Sequence, residues 1–313
     1  MSNYGMQPPN QPGGPPQQQF PARSYTCPYC GATSDGTTGS CPACGAPVDV
    51  HAIVSQSGWL ELPGIKDMAR LQFGQSHLQI EGKYVPVADM NLAAGDSVYF
   101  THHVLLWKDP NVTMQQMSLK GGWNRVFAGL PLIMTQAFGP GHIAFSHDAP
   151  GEIVALPLQP GMAIDTREHV FMVATSQVTY DWFNSNIWFT TRNGDETETN
   201  YPMGMYMDRF YAPQAPGIVL IQGKGNIFTR VLKQGETVLV KPTALLYKDY
   251  TVQMHLHFEQ PGGTWQSWRT WGNRYIWVRM YGPGRIAIES AFAPLEDSGN
   301  SMVNSSQATW SNW

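Results

Sequence analysis

Three stretches of the chain, 92–114, 158–180 and 232–254, align without a gap, and this self-similarity restricts the fold more than any other feature. Each opens on L-x-x-G: Leu92 to Gly95, Leu158 to Gly161, Leu232 to Gly235. Apolar residues then share columns. Val98 aligns with Ile164 and Val238, and Val104 with Val170 and Ala244. Leu105, Phe171 and Leu245 follow, then Leu106, Met172 and Leu246; Val112, Val178 and Val252 close each copy. The alternation in Val98-x-Phe100 and Val238-x-Val240 has the period of strands with one buried face. Glycine at the fourth place of L-x-x-G suits a turn that needs positive φ, so each copy is expected to run strand, tight turn, strand.

A second element, Phe138-Gly-Pro-Gly-His142-Ile-Ala-Phe145, matches Phe73-Gly-Gln-Ser-His77-Leu-Gln-Ile80. Shorter relatives are Gly223 to Ile227 and Gly282 to Ile286. Charged residues make up only 13% of the chain against 31 Gly and 24 Pro, which favours many short strands and tight turns over surface helices. The expected fold is all-β, with modules at 52–130, 131–215 and 216–293. Aromatic connectors lie at Trp123–Phe127, Tyr206–Tyr211 and Trp265–Trp271, and Asn193-Gly194 followed by acidic residues reads as a hairpin tip. Residues 1–24, rich in Gln and Pro, are expected to be a disordered tail, and 294–313, with Trp310 and Trp313, a flexible one.

Residues 25–47 hold all four cysteines. Cys27 and Cys30 sit in CPYCG, Cys41 and Cys44 in CPACG, with ten residues between the pairs. Two such knuckles, whose Pro and Gly turn backbone N–H groups toward sulfur, are a ribbon for one structural Zn2+. Four thiolates fill a tetrahedral shell and leave no open position for catalysis. The ribbon is too short to own a core, so metal binding is its folding energy. It is expected to be an added module that docks an unidentified protein partner.

Other motifs carry less. Gly139-Pro-Gly141 lacks the third glycine of a dinucleotide loop, and Gly217 to Lys224 is too long for a phosphate loop. His255-x-His257 resembles the start of a cupin metal site, but Glu259 follows too closely and no later histidine completes it. The adjacent His102 and His103 are expected to face opposite sides of a strand. His77 and His142 occupy equivalent places that suit a structural hydrogen bond. Asp165, Glu168 and Asp181 show no acid–base pairing and are expected to be solvated. No catalytic constellation emerges, so the chain is expected not to be an enzyme. Lys and Arg number 19 against 23 Asp and Glu, a net charge of −4 that gives no footprint for nucleic acid. Neither a signal segment nor a membrane-spanning apolar run is expected from the sequence, and paired C-x-x-C motifs suit a reducing cytosol. Nothing in the sequence supports a membrane-surface role.

The run Gly121-Gly-Trp-Asn-Arg-Val-Phe-Ala-Gly129, then Leu132-Ile-Met-Thr-Gln-Ala-Phe-Gly-Pro-Gly-His-Ile-Ala-Phe145 and Pro150-Gly-Glu-Ile-Val154, resembles the altered inheritance of mitochondria protein 24 family. The resemblance covers about 52–293 and excludes the tail and ribbon. It implies three tandem modules similar to the tryptophan RNA-binding attenuation protein, a short double-stranded β-helix. It also implies a homotrimer that mimics a nine-module ring, with no assigned activity or catalytic residues, and here a bacterial cytosolic member. A non-enzymatic scaffold or adaptor follows as the expected function. The alternatives are an RNA- or small-ligand-binding module and, behind it, a cupin-like metal-dependent enzyme.

Overall fold

The computed structural model describes residues 25–27, 29–34, 40–46, 57–62, 65, 67–117, 134–147, 149–193, 195–260, 275–293, 295 and 301–312. The N-terminal tail, all of Gly121–Gly129, and the connectors at 123–127 and 265–271 lie outside these residues. Within them the chain is all-β, with two single-turn 3-10 segments.

The ribbon carries β1 (Tyr25–Thr26) and β2 (Thr33–Ser34), and β3 (Leu60–Glu61), β4 (Ala69–Phe73) and β5 (Ser76–Glu81) lead into the body. A first unit follows: β6 (Val87–Leu92), β7 (Ser97–Thr101), β8 (Leu105–Lys108), β9 (Thr113–Gln116), β10 (Met134–Phe138) and β11 (Gly141–Ser146). The second has β12 (Gly151–Leu158), β13 (Ala163–Arg167), β14 (Phe171–Thr175) and β15 (Thr179–Asn184). After an inserted hairpin, β16 (Phe189–Asn193) and β17 (Glu196–Asn200), it closes with β18 (Tyr206–Tyr211) and β19 (Gly217–Lys224). The third has β20 (Ile227–Leu232), β21 (Thr237–Val240), β22 (Leu245–Asp249), β23 (Gln253–Gln260), β24 (Tyr275–Tyr281) and β25 (Gly284–Glu289). Beyond it lie β26 (Ser301–Ser305) and β27 (Ala308–Asn312).

The units share one pairing scheme. The first strand pairs with the sixth, and the sixth with the third, giving β6-β11-β8, β12-β19-β14 and β20-β25-β22. The second pairs with the fifth, and the fifth with the fourth, giving β7-β10-β9, β13-β18-β15 and β21-β24-β23. Register repeats too: Leu92 stands opposite Gly141, Leu158 opposite Gly217, and Leu232 opposite Gly284. Each third-to-sixth pairing carries a register shift, at Ala144/Phe145, Phe171/Val173 and Leu245/Tyr247.

The L-x-x-G glycines set the first turn of every unit. Gly95, Gly161 and Gly235 have φ of 93°, 84° and 79°. The residue after each donates its N–H back across the turn: Asp96 to Ala93 O, Met162 to Gln159 O, Glu236 to Lys233 O, at 2.9–3.1 Å. This is the type II pattern, in which a side chain at the positive-φ place is penalised. The leucines that open the motif, Leu92, Leu158 and Leu232, are all buried, each worth roughly 2–3 kcal/mol of apolar burial.

Neighbouring units join edge to edge. β7 pairs with β14, setting Tyr99 opposite Ala174, and β13 pairs with β22, setting Asp165 opposite Lys248. These seams explain a departure from the expected one-faced strands, because β7 and β14 are buried along their whole length. Val98 and Phe100 point into the core shared with the ribbon, while Tyr99 points into the core of the second unit. A seam strand thus has a core on each side, and its sequence reads as a continuous apolar run.

Three further expectations are corrected. The breaks between units fall at 147–150 and 225–226, not near 130 and 216, because β10–β11 and β18–β19 complete the units that precede them. The C-terminal stretch expected to be flexible supplies β26, paired with β16, and β27, which runs parallel to β23. Nor does the ribbon stand apart: Cys27, Tyr29, Cys41, Cys44 and Ala46 share one core with the first unit.

Candidate metal centre

Two loops of the same design build the ribbon. Gly31 N–H donates to Cys27 O and Gly45 N–H to Cys41 O, at 2.9 and 2.8 Å. Cys27 N–H reaches Ala32 O and Cys41 N–H reaches Ala46 O, at 2.9 and 2.7 Å. Gly31 and Gly45 close the loops at φ of 71° and 75°. The loops face each other and bring all four sulfurs within 4.8 Å of one another. Cys27 and Cys44 Sγ are 3.7 Å apart, and Cys30 and Cys41 Sγ 3.8 Å. Sulfurs held about 2.3 Å from a central ion in a tetrahedron would be separated by about 3.8 Å, so the cluster is compatible with zinc.

The thiols are unequal. Burial pushes Cys27 and Cys44 up. It pushes Cys41 up as well. There, however, the N–H groups of Cys44 and Ala43, with the thiols of Cys27 and Cys44, outweigh burial and bring Cys41 down to about 7. A metal ion would supply the positive charge that the buried sulfurs need to ionise together.

One face of the ribbon is fixed to the body. β4 is the edge of the sheet β4-β5-β6-β11-β8. Its Arg70 N–H donates to Cys44 O at 2.8 Å and its Gln72 N–H to Tyr29 O at 3.3 Å. Tyr29, itself buried, donates its hydroxyl to Ala155 O on the edge strand β12 at 2.5 Å. Two sheet edges, each a template for unwanted pairing, are thereby covered by the cysteine-bearing ribbon.

Among the described residues no other group of three or more His, Cys, Asp or Glu could hold a metal ion. His255 and His257 lie on β23 without further ligands gathered to them; the His255 ring meets Tyr281 edge-on at 5.3 Å. His102 and His103 occupy a 3-10 turn rather than a strand, with rings 5.7 Å apart. His142 Nδ1 lies 3.1 Å from Asp89 Oδ1 and its ring stacks on Trp107, as a structural histidine would. His77 faces the same Asn91 from the other side of β6. Asp165 is the clear miss. It is fully buried, accepting hydrogen bonds from Lys248 Nζ at 2.6 Å and from Arg209 Nε and Nη2 at 2.6 and 3.0 Å. Asp181 is exposed, as expected.

The model of the family described as mitochondrial biogenesis AIM24 matches residues 78–291, more than two thirds of the chain. The chain belongs to that family. The AIM24 match begins inside β5 and ends just past β25, so it takes in the three units and leaves the ribbon outside. Among solved structures, the crystal structure of a Streptococcus pyogenes protein has a similar fold. Its TM-score is 0.51 at 19% sequence identity, covering 70% of this chain and 94% of that one. No curated protein sequence matches the chain. Among the described residues no helix is long and apolar enough to cross a membrane.

Proposed function

We propose that this AIM24-family chain is a non-enzymatic scaffold whose copies join edge to edge into a closed homotrimer, with structural zinc in the ribbon. One observation carries the proposal. Inside the chain every second strand of a unit meets the third strand of the next unit, except at the two ends. Among the described residues β21 has no such neighbour, and neither does β8.

The side chains on β8 register the missing neighbour. Leu106 is 56% exposed and Trp107 43%, whereas their counterparts Met172 and Val173, and Leu246 and Tyr247, are buried against the adjoining unit. Exposed Leu and Trp on an open strand are a liability in a monomer and a contact in an assembly. β21 of one copy meeting β8 of the next is a head-to-tail contact, which gives a ring when its rotation closes. Three copies of three units supply the nine-unit ring expected from the resemblance.

Within this scaffold the ribbon caps β4 and β12. A protein partner docking on it would meet its outward tip, where Pro42 and Ala43 are exposed. Four free cysteines and a net charge of −4 support a reducing, bacterial cytosolic setting and weigh against nucleic acid.

Light scattering on the full chain tests the assembly. A mass of three chains is expected at micromolar concentration, and Trp107→Glu should reduce it to one without unfolding the protein. A wild-type monomer would remove the basis for a scaffold.

A further inference from the structure

A cavity of about 530 Å3 opens where the three units converge, within the range of small-molecule sites. His103 comes from the turn before β8, His147 from the link between the first two units, and His169 from the turn before β14. His103 and His169 hold the same place in their respective units. The rings of His103 and His147 meet edge-on at 6.0 Å. His169 sits at φ 67°, a strained conformation for a residue other than glycine.

The charges around the cavity are partly internal. Arg167 bridges Glu289 and the Thr243 carbonyl. The second oxygen of Glu289 accepts the Lys224 N–H at 2.8 Å, and Lys224, an exposed residue, lines the cavity. Glu168 is the other carboxylate on the wall. Val170, Pro202 and Met203 form its apolar side.

Gln222 is the decisive group. It is 4% exposed and lines this cavity. Its Nε2 donates to Ala149 O at 2.6 Å, which fixes the orientation of the amide, since an oxygen there would face an oxygen. Its Oε1 then receives no hydrogen bond from any described residue. A buried acceptor left without a donor is a costly feature that ligand sites retain.

We infer that this cavity binds a small phosphate monoester. Imidazole N–H groups and the Lys224 ammonium suit its anionic oxygens, the apolar side suits its organic part, and Gln222 Oε1 suits a P–OH. The last point distinguishes the ligand from a sulfate ester, which carries no proton near neutrality. The four cysteines being the one metal-competent group among the described residues, the three histidines serve here as donors rather than as metal ligands.

Glycerol 3-phosphate titrated into the zinc-loaded full chain at pH 6 provides the test, because about half of a phosphate monoester carries a P–OH there. Calorimetry should show saturable binding, with imidazole resonances shifting in parallel. The matching sulfate ester, glycerol 3-sulfate, should bind at least tenfold more weakly, as when a site built around a ligand hydroxyl meets an analogue without one. Lys224→Gln should weaken binding about tenfold while leaving the melting curve unchanged. Absence of saturable binding, equal affinity for the sulfate ester, or unchanged affinity in Lys224→Gln combined with His103→Gln would each overturn the site. Light scattering on the same samples reads the assembly separately, so failure of one proposal is distinguishable from failure of the other.

Discussion

Lys248 Nζ lies 2.6 Å from Asp165 Oδ2, and the two residues stand opposite each other on the strands that join the second unit to the third. Arg209 supplies a second cation to the same carboxylate and stacks on Phe183, 4.5 Å from the ring centre. Burial lowers the pKa of the Lys248 ammonium, and the charge of Asp165 opposes that shift. The charges are tied to one another rather than to water. Asp165→Asn should therefore cost roughly 3–5 kcal/mol in urea unfolding, since it strands a buried ammonium. Asp165→Leu combined with Lys248→Met should lose less than Asp165→Leu alone.

Glu152 provides a pH-dependent prediction. Burial raises its pKa, the nearby Glu61 carboxylate adds to the shift, and the Ile227 backbone partly offsets it. A carboxylate whose folded pKa is raised costs nothing below its unfolded value, then penalises the folded state as pH climbs through the folded value. Glu152→Gln should stabilise the protein at pH 7 by less than about 1 kcal/mol, given that the group is only partly buried. At pH 4 the gain should vanish. Urea midpoints at the two pH values check both halves.

Two glycines of one unit should respond differently to alanine. At Gly235 a Cβ meets nothing within 4 Å, so only its φ of 79° is penalised, at about 1–2 kcal/mol. At Gly282 a Cβ would lie 2.3 Å from the Lys233 carbonyl oxygen and 2.8 Å from the Leu232 oxygen, which are backbone atoms. Gly282→Ala should cost more than about 3 kcal/mol or prevent folding, as judged by thermal melting beside Gly235→Ala.

The ribbon can be tested at its anchor. Tyr29→Phe removes the hydrogen bond to Ala155 O and leaves that acceptor buried, at a cost of about 1–3 kcal/mol. Metal content should stay at one ion per chain in that variant. Cys41→Ser should abolish the ion and expose the β4 edge, visible as faster hydrogen exchange at Arg70 and Gln72.

Register at the proposed copy-to-copy seam can be forecast from the seams inside the chain. Tyr99 faces Ala174 and Asp165 faces Lys248, so Leu239 of one copy should face Lys108 of the next. Cysteines at both positions should be close enough for a disulfide. In zinc-loaded protein, oxidation of Leu239→Cys/Lys108→Cys should give covalent multimers on a non-reducing gel, and shifting one cysteine by a residue should not.

Much of this architecture was legible in local chemistry. The L-x-x-G turns could be read because a type II turn leaves a glycine wherever it occurs, and Leu92, Leu158 and Leu232 because each is buried at a strand end. The cysteine cluster was legible for a similar reason, its four residues lying within one short segment. The seams were not. Asp165 looks like any surface aspartate until β22 is laid beside it. The C-terminal strands escaped because Ser301–Ser305 is held by backbone pairing with β16, which polar side chains do not advertise. Boundaries near 130 and 216 failed because each unit's last two strands follow a connector and lie far along the chain from the strands they complete. The cavity at Gln222 was beyond reach for the strongest reason: its walls come from all three units.

The edge-to-edge seams have a consequence for how the family can vary. Each unit offers a socket on one side and a plug on the other, so nothing within a unit limits how many may follow in line. In the ring proposed above, stoichiometry then becomes a matter of arc rather than of affinity. A gene with one unit duplicated or deleted would still encode a chain with matching ends, and its circles would close with a different number of subunits.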